Sequence, residues 1–438
     1  MKQSIYYASQ EKIRKMQEGL LKSTVSYLAK YSDYYKKLFE VNHIDPAAMH
    51  TIDDLQRIPI TKKEDLLEYN DQFYCSGLQG AADVVSTSGS TGLYPILHPL
   101  TTGDLHRLAY NEQMSFRIAA MRSEERVMLN TALDGSFAAG MAYYLGVKRI
   151  GASIVRAGSK NWRLQLEILV NQNITTIIGV PSNLIKLWRC GIENNFDISK
   201  CNIKKLILIG ESIRNGDFTL NQLGRRLSEC YPQAGLHSTY ANTETCTSFC
   251  ECEYGCGGHL LPDLAYAEIV DNNGQPLGEG KTGRLLITTF GGQGMPLLRY
   301  DTGDITFLCN EQCACGRTTP RIGPIVSRVS NIMKIDGITF SQAQMENAIL
   351  SMPQIDDYCI VVGQNEEGIN TIQILYSLCG STDMFDENIL KRRIWNMVRV
   401  NPELKCCGSE ELEEVQKVNR LRKTQRFINK TISGGHFG

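Results

Sequence analysis

Four short apolar segments in the middle of the chain constrain its fold more than any other feature: "ERVMLNTAL", "GASIVRA", "TTIIGVP" and "KKLILIGE". None alternates polar with apolar residues, so each predicts a strand buried on both faces, the pattern of a parallel sheet rather than a one-sided antiparallel one. Between them lie stretches with helical spacing, "NWRLQLEILVNQ" and "PSNLIKLWRCGIEN". Strands alternating with helices predict an α/β architecture, with sheets covered by helices.

Upstream, "LLKSTVSYLAKYSDYYKKLFE" carries apolar residues at helical spacing, and in "IPITKKEDLLEY" Thr61 is expected to cap a helix with Glu64 and Asp65 in its first turn. From about Gly258 to Leu308 the texture becomes β-rich, with strands expected in "AYAEIVD", "GRLLITTF" and "DITFLC". A boundary falls near Arg328. Beyond it the order reads strand ("IMKID"), helix ("SQAQMENAILSM"), two strands ("YCIVVGQ", "TIQILYSLC"), helix ("ENILKRRIWNMVRV") and a last strand ("LEEVQKV"). That order suggests a split βαβ unit. A chain of 438 residues exceeds one ordinary core, and we divide it into a large domain, 1–327, and a small α+β domain, 328–438.

Composition narrows the function. With 46 basic and 47 acidic residues, bulk charge gives no reason to expect a nucleic acid or an anionic membrane as partner; a small-molecule substrate fits better. The charged opening "MKQSIYYASQEKIRKM" and the lack of any run of 18 apolar residues lead us to expect a cytoplasmic protein without a membrane span. There, most of the 15 cysteines would be reduced thiols or metal ligands rather than disulfides. Seven of them fall between Cys246 and Cys315.

The strongest local motif is "STSGSTGLYP", Ser86 to Pro95. Its glycines let backbone N–H groups approach an anion, and the Ser88, Ser90 and Thr91 hydroxyls add donors, as a triphosphate requires. No Gly-Lys-Ser/Thr closes it, so it is not a Walker A loop. "STYANTE" (Ser238–Glu244), "RYDTGDI" (Arg299–Ile305) and "RKTQRFIN" (Arg422–Asn429) follow in order. Singly, each has a structural reading: Glu244 as a cap acid, Asp304 as a turn residue, Lys423 as one more charge in a basic run. Their order favours a joint one. "CECEYGCGGH" and "CACGR" meanwhile offer enough cysteine and histidine for a tetrahedral zinc site built from two loops.

Together with "YYKKLFE", "IPITKKEDL", "LDGSFAAGMAYYLGVKRIGASIV", "GVPSNLIKL" and "GMPLLRYDTGD", these motifs resemble the phenylacetate:coenzyme A ligase family of the adenylate-forming superfamily over nearly the whole chain. The resemblance implies a large adenylation domain, a small mobile C-terminal lid, and ATP, Mg²⁺ and coenzyme A as reactants with a carboxylic acid. Residues Ser88, Gly89, Ser90, Thr91 and Gly92 would wrap the ATP phosphates. Gly210, Glu211 and Ser212, with Thr239 and Tyr240, would flank adenine; Asp304 and Arg328 would serve the ribose. Catalytic roles would fall to Thr243 at the α-phosphate, Glu244 at magnesium, and Lys423 as the lysine bridging the carboxylate and α-phosphate. Phe137, Ala138, Gly140 and Tyr240 would border the acid, expected to be aryl or arylacetic because small residues leave room for a flat ring. The resemblance also selects Cys252, His259, Cys313 and Cys315, over Cys250, Cys256 or Cys309, as ligands of a structural zinc.

The chain departs from that pattern at Leu93 and Tyr94 after the phosphate loop, at Ser330 where the family's hinge has Asp, and at Ala241 and Asn242. Two further readings follow. In one the adenylate is passed to a carrier protein's phosphopantetheine instead of coenzyme A, since both present the same thiol arm. In the other the altered hinge marks a nucleotide-binding paralogue without turnover. A homodimer would match family precedent and the commonest soluble assembly, although sequence does not determine it.

Overall fold

The computed structural model describes residues 5–87, 95–159, 161–328, 332–335, 338–364, 370–379, 385–417 and 425–430. The described residues divide into two compact units, the larger holding 5–87 and 96–325 and the smaller holding Pro95 and the described part of 326–438.

The larger unit opens with helices α1 (Gln10–Tyr31), α2 (Asp33–Val41) and α3 (Lys63–Glu68). The single helical-looking stretch of the sequence breaks at Ser32, which ends α1 and caps α2 by accepting from Tyr35 N at 3.4 Å. Thr61 does not cap α3 as expected. It is fully buried, its hydroxyl donates to Leu298 O at 2.8 Å and meets the Tyr35 hydroxyl at 3.1 Å. Lys62 takes the cap position, its N–H satisfied by Asp65 at 2.7 Å. A buried hydroxyl must find a partner, and the one available was across the fold rather than along the chain.

Strands β1 (Asp83–Ser86) and β2 (Leu97–Leu100) form an antiparallel pair leading into α4 (Thr102–Ile118). Then β3 (Arg126–Asn130), α5 (Ala138–Ile150), β4 (Ser153–Arg156), α6 (Trp162–Asn171), β5 (Thr176–Gly179), α7 (Pro181–Glu193), β6 (Lys205–Ile209), α8 (Gln222–Cys230), β7 (Gly235–Asn242) and β8 (Thr247–Cys250) build the main sheet. Its order is β4-β3-β5-β6-β7-β8, parallel except for the β7–β8 pair. The core between sheet and helices includes Phe116, Val127, Leu129, Tyr143, Ile178 and Ile207. The chain leaves β3 for β4 on one side and returns to β5 on the other. At such a reversal the connections diverge and leave a crevice outside the carboxyl ends of the strands, the usual ligand position in open α/β sheets.

The β-rich part follows: β9 (Gly258–His259), β10 (Ala265–Val270), β11 (Gly283–Thr289), β12 (Tyr300–Thr306), β13 (Leu308–Cys309) and β14 (Arg321–Ile322). Antiparallel pairing joins β10, β11 and β12 in one sheet and β13, β14 and β9 in another.

The smaller unit contains β15 (Ser327–Arg328), a hairpin of β16 (Ile332–Ile335) and β17 (Ile338–Ser341), α9 (Gln342–Leu350), β18 (Ile355–Gln364), β19 (Asn370–Leu378), α10 (Glu387–Val398), β20 (Glu403–Cys406), α11 (Ser409–Gln416) and β21 (Phe427–Asn429). Its sheet runs β20-β19-β18-β21, over a core that includes Met345, Ile349, Ile360, Ile374, Leu390 and Ile394. The segment "LEEVQKV", expected as a strand, is mostly α11. Gly408 precedes it, Glu410 and Glu411 occupy its first turn, and Leu412 and Val415, three apart, face one apolar cluster; acids at a helix N-terminus and that spacing favour a helix. Among the described residues no helix is long and apolar enough to cross a membrane.

Candidate active site

Strand ends bring the expected nucleotide residues together. Gly210 follows β6 with φ +78, a left-handed conformation that glycine adopts without steric cost. The Glu211 carboxylate accepts from Ser182 N at 2.9 Å and Ser182 Oγ at 2.8 Å, at the start of α7, where a helix N-terminus favours an anion. Ser212 Oγ donates to Arg214 O at 3.2 Å. On β7, Thr239 Oγ1 donates to Cys250 Sγ at 3.2 Å. The next residue, Tyr240, stacks nearly parallel to Phe249, and its hydroxyl donates to Asp304 Oδ2 on β12 at 2.8 Å. The residues expected at adenine and at ribose thus meet across two sheets.

Thr243 and Glu244 occupy the tight turn between β7 and β8. Thr243 O accepts from Cys246 N at 3.2 Å, and Cys246 is left-handed at φ +47, a conformation uncommon for a residue with a side chain. Glu244 is buried. Burial, the Glu244 charge and Tyr240 hold the Tyr300 hydroxyl well above its ordinary pKa, which places Tyr240, Glu244 and Tyr300 in one neighbourhood. Carboxylate and hydroxyl oxygens are the donors a hard divalent cation takes, so Thr243 and Glu244 suit magnesium.

Of the residues expected around the acid, Phe137 precedes α5 and is partly exposed. Ala138 is buried in the main core. Gly140 has a reason of its own: a Cβ there would overlap the Ala132 carbonyl. Its smallness is filled by backbone, so it provides close packing of α5 on the loop after β3 rather than space for a ring.

The cysteine and histidine cluster converges. Ligand atoms of Cys252, His259, Cys313 and Cys315 all lie within 4.8 Å of one another, with Cys252 Sγ to Cys313 Sγ at 3.6 Å and Cys315 Sγ to His259 Nε2 at 3.5 Å. Zinc–sulfur and zinc–nitrogen bonds of about 2.3 and 2.0 Å give tetrahedral edges of roughly 3.8 Å and 3.5 Å, so both distances fit. Burial, with Arg317 and Arg321 adding, pushes His259 down to about 3, leaving a neutral imidazole, the form that binds metal. Its Nδ1 lies 3.1 Å from Thr319 Oγ1. Burial works to raise the Cys315 thiol, yet hydrogen bonds from Arg317 bring it below its ordinary value.

Ser88, Gly89, Ser90, Thr91 and Gly92, the departures at Leu93, Tyr94 and Ser330, and Lys423 lie outside the described residues. Arg328 is exposed on β15 of the smaller unit. Sequence reasoning missed Thr319, two residues past the CACGR motif, and Asp104, whose carboxylate accepts from Gln293 N at 2.7 Å and Gly294 N at 2.8 Å. The Thr-x-x-Asp spacing of the α4 capping box, Thr101 to Asp104, was the available signal for the second. Nothing local signals the first.

Residues 80–294 match the family described as AMP-binding enzyme. The matched stretch runs from just before β1 to just past β11 and so takes in the whole main sheet. Among curated proteins, the phenylacetate-coenzyme A ligase of Thermus thermophilus is 29% identical over 371 residues, spanning 83% of this chain and 81% of that protein. The ligase of the same name from Escherichia coli is 24% identical over 357 residues, spanning 80% and 79%. Among solved structures, a 2-hydroxyisobutyryl-CoA ligase in the postadenylation state in complex with R3-HIB-AMP superposes with a TM-score of 0.84 at 18% identity, over 97% of this chain and 91% of that one. An anthranilate CoA ligase in complex with anthranoyl-AMP reaches 0.57 at 15% identity, over 76% and 64%. These structures share the fold. The matched region contains Phe137, Ala138, Gly140, Gly210–Ser212 and Thr239–Glu244, while Asp304, Cys313 and Cys315 lie beyond it.

Proposed function

We propose that this enzyme activates a carboxylic acid with ATP and transfers the acyl group to coenzyme A, and that the acid is aryl or arylacetic. In the first step the carboxylate attacks the α-phosphorus and expels pyrophosphate, giving an acyl-adenylate. In the second a thiolate attacks the acyl carbonyl and AMP leaves. The observation that carries the reading is the Tyr240 hydroxyl on Asp304 at 2.8 Å, beside the Thr243–Glu244 turn at the open end of the main sheet. Tyr240 offers a ring edge for a base, Asp304 a carboxylate for sugar hydroxyls, and Thr243 a hydroxyl for a phosphate. Magnesium, with Glu244 among its ligands, would neutralise phosphate charge that otherwise repels the carboxylate.

We assign Lys423 to the negative charge that develops between carboxylate and α-phosphate, Ser88–Gly92 to the β- and γ-phosphates, and Arg328 to the ribose, with residues 328–438 acting as a mobile lid. Zinc on Cys252, His259, Cys313 and Cys315 would be structural, because four protein ligands leave no open position for water. The curated relatives' names support the arylacetic choice of acid, and a parallel with their substrate is what the experiment tests. Pyrophosphate release from ATP and Mg²⁺ is measured across aryl, arylacetic and fatty acids, with and without coenzyme A. Release dependent on one aryl or arylacetic acid and accelerated by coenzyme A is expected. Release that needs a carrier protein instead would move the acceptor; none with any acid, despite ATP binding, would overturn the reading.

A further inference from the structure

Helix α4 places two opposite charges one turn apart, and both are spent on backbone. Asp104 accepts from Gln293 N at 2.7 Å and Gly294 N at 2.8 Å. Arg107 donates three ways: Nε to Phe290 O at 2.7 Å, one terminal nitrogen to Cys246 O at 3.0 Å, and the other to Leu264 O at 2.8 Å. A small cavity lined in part by Asp104, Arg107, Thr245 and Cys246 sits between them. The guanidinium therefore ties three segments remote in sequence, namely the loop entering β10, the exit of β11, and the Thr243–Cys246 turn.

That third contact concerns chemistry. Cys246 is held at φ +47, a sparsely populated conformation for a non-glycine residue that persists only when its surroundings over-determine it. Within the turn, Cys246 N and Sγ both reach Thr243 O, at 3.2 and 3.3 Å. Outside it, Arg107 donates a charge-assisted bond to the Cys246 carbonyl at 3.0 Å, stronger than a bond between neutral groups. Relaxation of Cys246 out of the left-handed region would swing the peptide units that orient Thr243 and Glu244.

We infer that Arg107 is a positioning residue for nucleotide binding, locking the Thr243–Cys246 turn in the geometry that presents Thr243 and Glu244 to the phosphate and its magnesium. The inference rests on the adenylation reading for what the turn presents. A planar fork with donors along three directions suits three diverging carbonyls, whereas a lysine ammonium at the end of a flexible stem cannot reach all three at once.

The test compares wild type with Arg107→Lys and Arg107→Met, each checked by thermal melting. Mg·ATP affinity is measured by direct binding without acid. Pyrophosphate release and thioester formation from synthetic acyl-adenylate are then followed separately. Arg107→Met is expected to weaken Mg·ATP binding about tenfold or more, equivalent to about 1.4 kcal/mol, with Arg107→Lys between it and wild type, while the KM for the acid stays unchanged. A merely structural role lowers the folded fraction instead, cutting both half-reactions alike and leaving affinities as they were; that result overturns the inference, as does unchanged Mg·ATP affinity in both variants. If Arg107→Met does not fold, Arg107→Lys decides on the same criterion. Failure of the ligase reading would show separately, as a wild type that binds Mg·ATP yet releases no pyrophosphate with any acid.

Discussion

Replacing Thr319 by valine isolates one hydrogen bond behind the proposed zinc site. Thr319 is fully buried and its Oγ1 lies 3.1 Å from His259 Nδ1, on the far side of the ring from the 3.5 Å approach of Nε2 to Cys315 Sγ. If Nε2 binds zinc, Nδ1 carries the proton and donates to Thr319, fixing tautomer and ring orientation. Valine keeps nearly the same shape but leaves a buried N–H without an acceptor, at a cost of about 1–3 kcal/mol. Partners of this kind usually contribute 10- to 100-fold in metal affinity, or about 1.4–2.7 kcal/mol, so the two estimates overlap. The assay titrates purified zinc-loaded protein with a chromophoric chelator at pH 7 and repeats the melting curve with and without chelator. Wild type should release about one zinc per chain and melt lower once stripped, because structural zinc contributes directly to folding. Thr319→Val should yield its zinc at roughly 10- to 100-fold less free chelator, and Thr319→Ser should behave as wild type. Equal zinc affinity in Thr319→Val would refute the orienting role, and a wild type that holds no zinc would refute the site.

Three other outcomes follow from the geometry. Gly140→Ala would press a methyl group into the Ala132 carbonyl; overpacking against backbone should cost about 1–3 kcal/mol, read as a lower midpoint in urea, whereas unchanged stability would return Gly140 to the list of residues kept small for substrate. Tyr240→Phe keeps the ring stacked on Phe249 but removes the 2.8 Å bond to Asp304, so the KM for ATP should rise about tenfold with the melting temperature little changed. Glu112 is buried, and burial raises it to about 7, offset in part by Ser248 and Asn111. Its folded value exceeds the unfolded one, so its protonated form favours the fold below the ordinary carboxylate range, and that advantage is lost as pH rises to about 7, an effect of ~3 kcal/mol. Glu112→Gln should therefore be more stable than wild type at pH 8 and similar at pH 4.5, measured by urea unfolding at both.

Which features could be read in the sequence follows from how far apart the interacting partners lie. The apolar segments of β3, β5 and β6 are legible because burial on both faces leaves its mark on consecutive residues. Two loops rich in cysteine and histidine are visible locally, but the choice of Cys252 over Cys250, Cys256 and Cys309 to join His259, Cys313 and Cys315 rests on the family resemblance and not on a local pattern. Thr61, by contrast, had a plausible local partner in α3 and a better one in Leu298, 237 residues away; nothing near Thr61 in sequence reports that choice. The "LEEVQKV" segment fails for a related reason, since a short apolar pattern fits strand or helix and the neighbouring cluster decides. Arg107 is the extreme case. Its three acceptors are carbonyls of Cys246, Leu264 and Phe290, and a carbonyl is the same at every residue, so the contact imposes no side-chain identity on its partners. A residue whose work is done on backbone is invisible to motif reading however close it stands to the chemistry, and the turn that carries Thr243 and Glu244 is held from outside by a residue of this kind.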